Sequence, residues 1–208
     1  MGKVSSLFVR KVLGEVDGDI DKNALLRSVG IEPNSPIDPS QMISADDYYA
    51  FLETLAAVEP NATTLPLRVG AAMRCDDYRA FGLAWKSATN LRGSYERAER
   101  YAQVLSNVST YELEDVAQGA YMHLHRSGNR RLGMRLSNEA TIASIFSISQ
   151  QVSIEPFKPL AIYLKHPAPR STRDHEAHFA CPVYFDSDKD ALLISSESLQ
   201  APNQLGDE

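Results

Sequence analysis

His123 and His125 are the residues whose spacing points most directly to chemistry. They stand two apart in a stretch that alternates polar and apolar residues. On a strand that spacing puts both imidazoles on one face, where they can converge on a metal. A metal needs further ligands, and His175 and His178, three apart on a helical turn, are the candidates. No carboxylate or cysteine motif completes the set. Packing or surface histidines are the simpler reading, so no metal or cofactor is expected.

Tyr121 shares the face of His123, and Tyr163 of a later strand can join it. Polar aromatic side chains in a mostly apolar cavity are a common way to orient a small molecule. Trp85, the single tryptophan, and Arg74 add an aromatic wall and a carboxylate-binding fork from the helical half. Trp85, Tyr121, His123 and Tyr163 are therefore the expected ligand-binding residues, with a pocket between helices and sheet. The competing reading makes the tyrosines and histidines a wetted outer sheet face, Trp85 a core residue and Arg74 a surface one.

No catalytic arrangement is evident. The sequence has no G-x-S-x-G elbow, Gly-rich phosphate loop, H-E-x-x-H or C-x-x-C. The stretch Asp174–His178 misses the zinc-protease spacing by one residue. Cys181 lies near His178, but nothing beside it suggests an oxyanion-binding element. An enzyme is not expected.

The elements that must position these residues divide into two halves. Val4, Leu7, Phe8, Val12 and Val16 recur at helical spacing. Asp21 begins a short helix that Gly30 stops, and a proline-bearing loop covers residues 31–42. Ser44 can cap a helix whose inward face is Tyr48, Phe51, Leu52 and Leu55. Further helices are predicted over 64–73, 81–88 and 93–106. The period then becomes alternating. Residues 110–116 and 120–126 predict a hairpin around Gln118–Gly119. Residues 138–152 return to helical spacing with no charge between Glu139 and Glu155, which implies burial or an interface. Strands are predicted over 158–165, 183–185 and 191–195, with a short helix or turn at 170–178. The fold class is α+β: a helical N-terminal half packed on a mostly antiparallel sheet of four to five strands.

The totals suit such a domain. The 208 residues are 43% hydrophobic and 23% charged, enough to bury a sizeable core. Net charge is −6, from 21 basic and 27 acidic residues. DNA binding needs a dense basic face, and this chain has none. It also lacks a membrane-spanning run, a polybasic segment and a signal sequence, so a cytoplasmic location and no membrane partner are expected. The two cysteines, Cys75 and Cys181, read as reduced structural thiols.

Three stretches, in order, resemble the N-terminal effector domain (arabinose-binding-domain-like) of AraC-type transcription regulators, in the group of ornithine-utilisation regulators. They are residues 21–52, with LLRSVGI and a later Asp-Pro pair; residues 81–105, FGLAWKSATNLRGSYERAERYAQVL; and residues 165–199, with FACPVYF and the closing LLISSESL. Asn90 and Ser195 depart from the pattern. The resemblance implies that residues 1–198 are a ligand-sensing and association domain. It makes 199–208 the start of a linker to a helix-turn-helix domain outside this sequence. DNA would be met only through that domain, and a homodimer is possible in such regulators. It names no effector. The expected function is control of transcription by an unidentified small metabolite. The alternative is a ligand-free dimerisation module using the uncharged helix, and the remote alternative a small metal-dependent enzyme.

Overall fold

The computed structural model describes residues 1–38 and 40–206; Pro39 of the Asp-Pro pair, Asp207 and Glu208 lie outside the described residues. The chain begins with β1 (Lys3–Ser5), α1 (Leu7–Glu15), α2 (Lys22–Ser28), β2 (Met42–Ser44), α3 (Ala45–Val58) and α4 (Leu65–Ala72). A 3-10 turn at Cys75–Tyr78 leads to α5 (Ala80–Lys86) and α6 (Leu91–Tyr101). Then come β3 (Ser109–Val116), β4 (Gly119–Arg126) and the long α7 (Leu132–Val152). The chain continues through β5 (Ala161–Tyr163), α8 (Arg173–Phe179), β6 (Val183–Tyr184), β7 (Ala191–Ser195) and α9 (Ser196–Gln200).

The main sheet has the order β3-β4-β7-β5-β6. Every neighbouring pair is antiparallel except β5 and β6, which run parallel. The fold is thus α+β with a mostly antiparallel five-stranded sheet, as the residue pattern implied. A second, two-stranded sheet pairs β1 with β2. The helical period through Val4, Leu7 and Phe8 hides it, because Val4 belongs to β1 and only Leu7 begins the helix.

Helix signals match their residues. Ser44 Oγ accepts the Asp47 amide, and Asp21 accepts that of Ala24, so each satisfies an amide that the first turn leaves free. Gly30 sits at φ +76° beyond the end of α2, a conformation that costs glycine nothing. The strand predicted over 158–165 shortens to β5, with Ile162 and Leu164 buried and Leu160 42% exposed.

Two hydrophobic cores form. One joins α1, α2, α3, α4 and the start of α7 through residues such as Val9, Ile31, Phe51 and Leu55. The other joins α5, α6, the rest of α7 and the inner sheet face through Trp85, Tyr95, Met122, Ile142 and Leu192. Helix α7 belongs to both. Its uncharged stretch is spent inside the protein, with Ile142, Ile145, Phe146 and Ile148 all buried. Gly70 of α4 lets the helices approach so closely that a Cβ there would lie 2.2 Å from that of Ala143.

The end of the folded unit differs from the expected boundary at 198. Leu199 is fully buried, and the chain from Ala201 to Gly206 lies as a strap across the end of α7 and the turn between α5 and α6. Asn203 donates its amide nitrogen to Ala88 O, Asn90 O and Ser94 Oγ, and Gln204 N donates to Val152 O. The polar composition read as linker instead satisfies backbone carbonyls.

Candidate functional site

A cavity lies at the seam of the two cores, closed by the β3–β4 end of the sheet, by α5 and α6, and by α7. Alternation on the hairpin builds one wall. Ala120, Met122 and Leu124 of β4 face inward, and Arg126 continues that phase. On β3, Ser109 pairs with Arg126 and Tyr111 with Leu124. Helix α7 supplies Ser137, Thr141, Ser144 and Ile148, a stripe at helical spacing. Phe8, Tyr48, Tyr78, Phe81, Trp85 and Ala98 add most of the remaining apolar wall. The space open to the centres of water molecules is about 40 Å³, room for roughly three waters.

The wall is apolar with a small polar set. Arg126 is its one charged side chain among the described residues. Its partners are neutral: Nε donates to Asn138 Oδ1 at 2.5 Å, Nη2 to Thr141 Oγ1 at 3.3 Å and Nη1 to Tyr49 Oη at 3.5 Å. Asn138 in turn donates to Asp190 at 3.3 Å, so an amide separates the guanidinium from the buried carboxylate. Burial pushes the Tyr111 hydroxyl up to about 12, with the Arg126 charge opposing it. Burial also raises Tyr48 and Tyr78, while hydrogen bonds with Ser137 and Ser144 act the other way. All three phenols are therefore neutral donors at physiological pH. Trp85 packs edge-on against Tyr95, with ring centres 5.3 Å apart. Its indole N–H is buried without a hydrogen-bond partner.

The structure separates the residues expected to share this pocket. Trp85 lines it. Tyr121, His123 and Tyr163 do come together, but on the opposite face of the sheet. Tyr121 stacks edge-on to Tyr163 at 5.6 Å, and Lys189 lies 5.4 Å from both rings. His123 and His125 each hold a glutamate of β3, Glu114 and Glu112, at 2.6 Å. The physical reason is strand alternation: with Met122 and Leu124 inward, residues 121, 123 and 125 must face out. The same alternation flags the residue that was missed, because it places a charged Arg126 on the apolar phase. Arg74 lies in a surface groove with His178 and Gln151, away from the cavity.

His175 and His178 do not join His123 and His125. His175 and His166 instead bind the buried Glu139, at 2.6 and 2.9 Å. Burial pushes Glu139 up, and the two histidine hydrogen bonds outweigh it, holding the carboxyl below its ordinary value. Among the described residues no group of three or more His, Cys, Asp or Glu is placed to hold a metal ion. Cys75 and Cys181 are free and buried, and burial pushes both thiols up to about 11. Thiols so raised are poor nucleophiles.

The fold is an α+β domain with a small cavity at the seam of its two cores, and comparison with known proteins gives its family. The chain belongs to the family described as the arabinose-binding domain of AraC transcription regulators, N-terminal, which matches residues 20–203. It is 24% identical over 190 residues to an ornithine utilization regulator of Pseudomonas aeruginosa, across 89% of this chain and 55% of that protein. The crystal structure of the transcriptional regulator CdpR from Pseudomonas aeruginosa shares the fold, with a TM-score of 0.66 and 15% identity. That likeness covers 97% of this chain and 59% of CdpR, so the chain spans little more than half the length of either regulator. Both relatives are regulators by name, CdpR a transcriptional one.

Proposed function

We propose that this chain is the effector-sensing part of an AraC-type transcription regulator and that the cavity between its two cores receives a small metabolite. The observation that carries this reading is the cavity itself: apolar walls, a few hydroxyls, and one arginine that, among the described residues, has no carboxylate against it. At about 40 Å³ it is smaller than a metabolite requires. A ligand must part the seam, so it binds the opened arrangement better. That difference in affinity sets the size of any response.

A route out of the cavity supports the reading. Ser94 Oγ donates to the carbonyl of Trp85 at 2.8 Å, and Asn203 of the strap donates to Ser94 Oγ. Movement of Trp85 would thus reach the strap. In the proposed arrangement the strap leads to a helix-turn-helix part that meets DNA, and the regulator works in the cytoplasm. The net charge of −6 fits a domain that does not grip DNA itself. Among the described residues no helix is long and apolar enough to cross a membrane. The ligand-free dimerisation reading loses its sequence support, because the uncharged stretch of α7 is buried within one chain.

The test is a thermal-denaturation screen against amino acids, polyamines, sugars, fatty acids and aromatic acids. A ligand at 100 times its dissociation constant adds about 2.7 kcal/mol, a shift of roughly 5–10 °C here. The expected result is a shift for one chemical class that Ala98→Leu, which fills the cavity, abolishes. A flat screen, or a shift that Ala98→Leu leaves intact, overturns the reading.

A further inference from the structure

Resting on that reading, we infer that the cavity takes a hydrophobic monocarboxylate, its carboxylate held by Arg126 and its apolar body packed among Phe8, Tyr78, Phe81 and Trp85. The argument begins with charge. A guanidinium in a partly buried wall is ordinarily matched by a carboxylate, because an unmatched charge pays the full loss of its hydration. Among the described residues no carboxylate makes an ion pair with Arg126, and its acceptors are an amide, a hydroxyl and a phenol. The nearest acidic group in this network, Asp190, is committed elsewhere: one oxygen accepts from Asn138 and the other from the Lys165 amide. Asn138 fixes Nε and leaves the two terminal nitrogens on contacts of 3.3 and 3.5 Å, long for a charged donor. Those are the nitrogens that form the parallel pair of bonds with a carboxylate.

The rest of the wall selects the body. Among the described residues no acidic side chain lines it, so an ammonium would meet only Arg126. That disfavours diamines and free amino acids. Six aromatic rings line it, Tyr48 and Tyr111 among them, with hydroxyls from Ser109, Ser137, Thr141 and Ser144 clustered on the Arg126 side of α7 and β3. The unpartnered indole N–H of Trp85 adds one more buried donor without an acceptor. The lining is thus rich in donors and holds one positive charge. A phosphate monoester would bring about two negative charges against a single arginine. A carboxylate brings one.

Trp85 is the only tryptophan, so its fluorescence reports cavity occupancy directly. The experiment titrates the intact chain with phenylacetate, indole-3-acetate and decanoate, and with the primary amide of each. Quenching or an emission shift is read for phenylacetate and decanoate, and a melting shift for all. At least one carboxylate is expected to bind about tenfold or more tighter than its amide. Arg126→Gln should erase that difference while amide binding persists, and Arg126→Lys should restore part of it. Equal binding of acid and amide, or acid binding untouched by Arg126→Gln, overturns the inference and leaves the cavity reading standing. Failure of every carboxylate while the broad screen finds a neutral or cationic ligand does the same. If the broad screen is also flat, both fall.

Discussion

Asn203, near the end of the described chain, donates its side-chain amide to Ser94 Oγ at 2.9 Å, and two further bonds from the same nitrogen reach Ala88 O and Asn90 O. One buried amide group thereby closes the turn between α5 and α6 and ties the strap to it. Asn203→Ala removes the donor to the buried Ala88 carbonyl, a loss of about 1–3 kcal/mol, and unties the strap from Asn90 O and Ser94 Oγ. The expected loss is about 2–4 kcal/mol in urea unfolding. Asn203→Asp keeps the shape but loses the donors, so it should cost as much. Near-neutral behaviour of both variants would show that the strap is not held by this residue.

Gly70 tests how closely α4 and α7 pack. In an exposed helix, Gly→Ala stabilises by about 1 kcal/mol. Here the new Cβ would stand 2.2 Å from the Ala143 Cβ and 2.6 Å from its carbonyl carbon. Backbone cannot yield as a flexible side chain can, and overpacking costs about 1–3 kcal/mol. Gly70→Ala is therefore expected to lower the melting temperature. A rise would mean that the helices stand further apart than described.

The hairpin shows how far the sequence can be read. Its strands, its turn and the shared face of Tyr121, His123 and His125 all follow from alternation. The direction of that face follows too, once the apolar phase of Ala120, Met122 and Leu124 is taken as inward. The residues with the most varied chemistry lie on the outer face, while the informative anomaly is Arg126 on the inner one. The β1–β2 pair was not legible, because three-residue strands with 36 residues between them carry no period of their own. The strap was not legible either: Asn203 and Gln204 are loop-like by composition, and only their partners show that they are fixed. Glu139 and His166 gave no local signal, since 27 residues separate groups that meet at 2.9 Å.

Acid should weaken the fold in two stages. Burial first, and the neighbouring His175 second, push His178 below its ordinary 6.5, with Glu139 opposing. Its rings of contact are Phe146 and Phe179, and its Nε2 has no partner. The unfolded chain takes up this proton more readily, so the stability is present above pH 6.5 and is lost as pH falls. Glu139 also has a lowered folded value, so its contribution is present above 4.5 and is lost below that. Urea midpoints measured from pH 7.5 to 4 should show both losses. His178→Phe should flatten the upper one and leave the lower. An unchanged upper slope in that variant would exclude His178 as its source.

The two faces of the sheet make opposite predictions for ligand response. Outside, Tyr121 and Tyr163 share a ring contact and the Lys189 ammonium, and His123 is occupied by Glu114. Burial and then the Tyr121 hydrogen bond push Tyr163 up to about 12, so its phenol stays neutral. Cation–π contacts of this kind are worth about 0.5–1 kcal/mol, and removing one ring should cost little more. Inside, Tyr111 and Ser144 line the cavity. Tyr163→Ala and His123→Ala are expected to leave the Trp85 emission maximum and the affinity for any ligand that quenches Trp85 unchanged. Ser144→Val, which removes a hydroxyl from the wall, is expected to weaken that ligand about tenfold. If the outer variants abolish the response and Ser144→Val does not, the ligand sits on the outer face. The aromatic cluster read first from the sequence would then be the site, and the cavity only a packing defect at the seam of two cores.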